Sequence, residues 1–109
     1  MDVDSLLKAE LDKLGVPVER LKYSGRAACF IIYQLVVGRG TFFSDDEEGA
    51  QEYTYQVHIY SKKDYFALLQ RLKERLKAAG FYGFVIEAET YEQDTGYYHV
   101  PVEIKYMEV

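Results

Sequence analysis

The sequence is short of several things, and each shortage narrows what the chain can be. Among 109 residues there is no Trp, and there are only two Pro and one Cys. Cys29 has no partner for an internal disulfide, so a reducing compartment is expected. No apolar run approaches the length of a membrane span. Met1-Asp2-Val3-Asp4 is acidic where a secretory signal is basic. A cytosolic product with no membrane partner is the expectation. Positive charge is missing from two long stretches: no Lys or Arg stands between Gly40 and Ser61, or between Ala78 and Ile104. With a net charge of −5, the chain does not grip nucleic-acid phosphates by bulk charge.

Chemical motifs are missing too. There is no G-x-G-x-x-G, P-loop, G-x-S-x-G or H-E-x-x-H pattern. Cys29 sits in an apolar run and reads as a small core hydrophobe. His58 and His99 are the only imidazoles and have no zinc-ligand spacing around them. Asp45, Asp46, Glu47 and Glu48 are adjacent, whereas a calcium loop needs oxygens at alternating positions. Glu87 and Glu89 share one strand face, which is common on exposed strands and signals no glycosidase. The sequence therefore assigns no catalytic residue, no cofactor and no metal, and the expectation is a protein that is not an enzyme.

What is present is a globular composition, 49 % hydrophobic and 28 % charged, in a chain long enough for one domain, residues 1–109. The conspicuous excess is tyrosine, 11 residues, beside 6 Phe. A small domain has little room to bury that many hydroxyls with partners.

Periodicity gives the elements. Val3, Leu6, Leu7, Leu11 and Leu14 fall at helical spacing, so residues 1–15 hold an N-terminal helix with Asp4 or Ser5 as its cap. Gly15 and Pro17 end it, and the stretch from Val16 to Arg26 reads as irregular. Ala28 to Val37 is β-branched and aromatic, a strand covered on both faces. Residues 38–51 form a long acidic loop, with Phe42 and Phe43 beside Asp45–Glu48. Tyr53 to Tyr60 alternates, with Tyr53, Tyr55, Val57 and Ile59 on one face and Thr54, Gln56, His58 and Tyr60 on the other. Residues 61–80 hold a basic amphipathic helix, capped from Ser61, with Tyr65, Leu68, Leu69, Leu72, Leu76 and Ala79 on one stripe. Phe81 to Tyr91 reads as one strand, Asp94-Thr95-Gly96 as a turn, and Tyr97 to Met107 as the last strand. Pro101 places that strand at an edge or next to a bulge. The expected fold is α+β in the order α-β-β-α-β-β, a four-stranded antiparallel sheet with both helices on one face.

Several of these segments, taken in order, resemble the small tail-completion proteins of long-tailed bacteriophages and prophages. They are Phe42-Phe43-Ser44-Asp45-Asp46-Glu47-Glu48, Tyr53 through Lys62, Asp64-Tyr65, Ala79-Gly80-Phe81, and Tyr91-Glu92-Gln93-Asp94-Thr95-Gly96-Tyr97-Tyr98-His99. The likeness spans about Val16 to Tyr106. It implies a structural protein of the virion neck, assembled in the host cytoplasm. Such a protein forms a ring, commonly a hexamer, at the head-proximal end of the tail tube. It stops tube growth and meets the head connector, while DNA passes through without specific binding.

The residues agree with such a role. A ring of identical copies needs two different patches that meet, and the charges run acidic, basic, acidic along the chain. Phe42, Phe43, Asp45, Asp46, Glu47, Glu48, Tyr60, Arg71, Arg75, Glu92, Asp94, Tyr97 and Tyr98 are the expected subunit or partner contacts. The acids of Asp45–Glu48 or Glu87–Asp94 are expected to face a channel or an axial partner, because an acidic wall repels phosphates. The competing reading is a dimeric α+β module that binds a small apolar ligand between sheet and helices.

Overall fold

The computed structural model describes residues 2–36 and 51–108, so the expected contacts Phe42, Phe43, Asp45, Asp46, Glu47 and Glu48 lie outside the described residues. The elements in chain order are helix α1 (Val3–Asp12), strands β1 (Val18–Arg20), β2 (Cys29–Leu35) and β3 (Gln51–Ser61), and helix α2 (Phe66–Ala78). Strands β4 (Tyr82–Ile86), β5 (Thr90–Glu92) and β6 (Tyr97–Glu108) complete the chain.

The six strands make one mixed sheet in the order β1-β2-β3-β6-β4, and β5 also pairs with β6. This corrects the expected four-stranded antiparallel sheet in two places. Residues Val18–Arg20, expected to be irregular, form a strand parallel to β2, with Val18 opposite Ile31. The pairing begins as the Pro17 carbonyl accepts from the Ile31 amide at 2.9 Å. A three-residue strand is too short for alternation to reveal it. The expected strand from Phe81 to Tyr91 is two strands. Its register shifts between Tyr82 and Val85, where Gly83 takes φ +67, and pairing to β6 resumes only at Thr90 opposite His99.

Pro101 explains where that break falls. β6 is flanked on both sides, so it is not the edge strand that its proline suggested. The Pro101 carbonyl accepts from the Glu87 amide at 2.9 Å, and its missing N–H would point the same way, toward the β4–β5 side. The ladder there has no donor to offer the Glu87 carbonyl, and regular pairing lapses until Thr90.

One face of the sheet is covered. Ile31, Tyr33, Tyr55, Val57, Ile59, Val100, Val102 and Ile104 are buried there against Leu7 and Leu11 of α1 and Leu72 and Leu76 of α2. Each such aliphatic side chain contributes on the order of 1.5–3 kcal/mol on burial. The cap of α1 is Asp2, whose Oδ1 accepts from the Ser5 amide at 2.7 Å. Asp4, expected as a cap, instead points into the core edge. Ser61 does not cap α2 either. It closes β3, fully buried, and its hydroxyl donates to the Lys63 carbonyl at 2.8 Å. The N-cap position is Tyr65, which makes no side-chain cap bond, while Asp64 before it accepts from the Phe66 amide through Oδ1 at 2.9 Å.

Candidate interaction surface

The alternation that sends Val57 and Ile59 inward sends His58 and Tyr60 to the other face, where neither described helix packs. Rings fill that face at one end. Tyr23 stacks on Phe30 with centroids 4.2 Å apart, and Phe30 stacks on Tyr60 at 4.9 Å and 8°. Tyr60 in turn stacks on His99 at 4.3 Å and 4°. The row follows from register, since Phe30 lies opposite Tyr60 and Tyr60 opposite His99. Tyr97 stands edge-on to Phe30 at 5.2 Å, and its hydroxyl donates to the Ala27 carbonyl at 2.7 Å. The segment after β1 is thereby strapped over the rings.

His58 Nδ1 and His99 Nε2 are 2.7 Å apart. One ring must donate and the other accept, so at least one of the two facing nitrogens is unprotonated. Both imidazoles are held below their ordinary pKa, first by burial. His58 is lowered further by the charge of His99, while Glu92 pulls His99 part of the way back. Farther along this face the surface is polar: Gln34, Gln56, Glu87, Glu103 and Lys105 line an open depression. Gln56 Nε2 donates to Glu87 at 3.3 Å, and the buried Thr54 hydroxyl has no partner among the described residues.

The two edges of the sheet are the exposed parts. Every residue from Val85 to Thr95 is exposed, including Val85 at 50 %, Ile86 at 45 % and Tyr91 at 54 %. Glu87, Glu89, Glu92 and Asp94 stand among them. Tyr91 leans on Tyr98 at 4.9 Å, and Glu89 accepts from the Tyr65 hydroxyl. The opposite edge is β1 and the turn behind it. There the Lys22 amide donates to the Arg20 carbonyl at 2.8 Å, closing a three-residue γ-turn whose central residue, Leu21, takes φ +70. A bulky residue in that region is strained, at a cost of roughly 1 kcal/mol or more. Leu21 is nonetheless 62 % exposed, between Arg20 and Lys22.

The expected contact residues thus fall in separate places. Tyr60 and Tyr97 come together at 6.3 Å, half-buried inside the ring row. Glu92, Asp94 and Tyr98 belong to the β5–β6 edge. Arg71 and Arg75 lie on the helical side, where Arg75 already pairs with Glu10 at 3.3 Å. Leu21 was not among the expected residues; its only sequence signal is a leucine set between Arg20 and Lys22 in a polar stretch. Among the described residues no group of three or more His, Cys, Asp or Glu side chains is placed to hold a metal ion. No described helix is long and apolar enough to cross a membrane.

No protein-family model matches the chain, and no curated protein matches it. Solved structures do. A chain in the virion of a native gene transfer agent particle superimposes with a TM-score of 0.56 at 10 % identity, covering 96 % of this chain and 92 % of that one. A second solved chain, whose name states no function, gives a TM-score of 0.54 at 14 % identity over 98 % of this chain and 96 % of that one. At these identities the likeness is one of fold, and it extends over nearly the whole of both chains.

Proposed function

We propose that this chain is a structural protein of a phage-like virion, and within it a tail-completion subunit. In this reading it forms a ring at the head-proximal end of the tail tube, ends tube growth and meets the head connector. The observation that carries the reading is the whole-chain fold likeness to a protein of a gene transfer agent virion. The ordered motifs from Phe42 to His99 agree with it. The role is scaffolding rather than catalysis, and the partners are further copies of the chain, the tail-tube protein and a neck protein.

Electron microscopy of the purified chain mixed with tail-tube protein from the same genome tests this. Tubes capped at one end by a ring, and shorter as more chain is added, support termination. Tubes of unchanged length with bare ends count against it.

A further inference from the structure

We propose that copies of this chain join head to tail through opposite edges of the sheet, the Leu21 turn of one copy seating against the β4–β5 edge of the next. This deepens the ring reading by naming the two surfaces that meet; its test needs no tail tube.

Four observations converge on the pair. The γ-turn at Arg20–Lys22 holds a leucine in a strained backbone conformation and displays it to solvent, a conformation that local sequence does not favour and that a contact would use. The charges of the turn itself are Arg20 and Lys22, with Glu19 preceding them on β1. The opposite edge carries the complement: exposed Val85, Ile86 and Tyr91 beside Glu87, Glu89, Glu92 and Asp94, in a stretch without Lys or Arg. None of the ion pairs among the described residues uses a charge from either set; those pairs are Lys8–Asp12, Lys13–Glu10, Arg75–Glu10 and Lys105–Glu103. Each edge is therefore apolar at its centre, carries predominantly one sign of charge, and is complementary to the other edge.

The same charges decide the geometry of assembly. Two β1 edges repel, and two β4–β5 edges repel, so a two-fold dimer through like edges is opposed. Unlike edges attract, and they lie at opposite ends of one sheet. A contact between different surfaces on identical copies is heterologous, and repeated it closes into a ring or runs on as a filament. The interruption at residues 87–89, where the edge leaves its ladder between Ile86 and Thr90, is where a projecting leucine can enter.

Cross-linking of mixed single-cysteine variants tests the contact. In a Cys29→Ala background, Leu21→Cys and Tyr91→Cys are made separately, mixed at high concentration and oxidised mildly. The mixture should give cross-linked dimer about tenfold above either variant alone, since unlike edges meet and like edges repel. Lys22→Cys with Glu92→Cys serves as a second pair should one of the first perturb folding. Cross-links that form equally within a single variant, or that fail in both mixtures, overturn the proposal. Rings seen by microscopy without either cross-link would remove this contact and leave the ring reading standing. Cross-links in a chain that caps no tubes would keep this contact and remove the tail-completion reading.

Discussion

The two faces of the sheet are made by alternate residues of the same strands, and they do different work. On the helix-covered face Val57, Ile59, Val102 and Ile104 are fully buried aliphatics. On the other face their neighbours His58, Tyr60 and His99 stack on one another and stay partly in water. The first face holds the fold together by burial of apolar area. The second contributes stacking and hydrogen bonds of smaller size, and leaves the surface polar and adjustable. Stability and surface chemistry are thus separated across the thickness of one layer, which lets the edges carry strained or exposed residues without cost to the core.

That contrast can be broken by substitution, and the largest effect belongs to the covered face. Leu76→Ala, at a site with no exposure, should lose about 2–5 kcal/mol in urea unfolding. A loss under 1 kcal/mol would mean that the helices hold the sheet only loosely. The tyrosines at the margin of that face come next. Tyr33 and Tyr55 direct their hydroxyls to the two oxygens of Asp4, at 3.5 and 3.3 Å. Burial, with the Asp4 charge behind it, raises both phenols, Tyr33 to about 12. Asp4→Ala leaves two buried hydroxyls without their acceptor and should cost about 1–3 kcal/mol, which thermal melting of the variant would read.

The open face should instead show itself in pH dependence. His58 and His99 have folded pKa values below the ordinary 6.5. The unfolded chain therefore binds more protons as the pH falls below about 6.5, and stability declines from there down to the folded values. Above 6.5 the two groups contribute no slope. The double variant His58→Gln, His99→Gln should flatten the curve in that window, as urea melts from pH 7.5 to 5.5 would show. An unchanged slope would mean that the imidazoles are not tied together in solution. The smallest effect is at the β1 edge. Leu21→Asn places a residue that tolerates positive φ in the γ-turn and should raise stability by about 0.5 kcal/mol. If instead it destabilised the chain, Leu21 would be a packing residue rather than a displayed one.

Much of this was legible in the residues. The alternation of Tyr53 to Tyr60 told the two faces apart, and the stripe through Leu72 and Leu76 located α2 on its side of the sheet. The tyrosine excess resolves by position. Tyr33, Tyr55 and Tyr65 are core with a carboxylate at the tip, and Tyr23, Tyr60 and Tyr97 belong to the ring row. Tyr82, Tyr91 and Tyr98 are exposed at the β4–β5 edge. What stayed hidden was set by pairing rather than by local pattern. β1 exists because β2 offers it a partner, and the split between β4 and β5 depends on Pro101 lying across from it. The capping by Asp2 was missed because Asp4 and Ser5 nearby could have served equally well. The left-handed turn at Leu21 contradicts leucine's own preference, so no propensity could have placed it there.

The central claim, that opposite edges of one sheet meet between copies, is tested most directly by exchanging their charges. One variant carries Glu87→Lys, Glu92→Lys and Asp94→Lys; the other carries Arg20→Glu and Lys22→Glu. The first then has two basic edges and the second two acidic ones. In sedimentation velocity at low salt each alone should be monomeric, and an equimolar mixture should associate as the unaltered chain does. Either variant associating on its own like the unaltered chain, or a mixture that stays monomeric, would contradict the account.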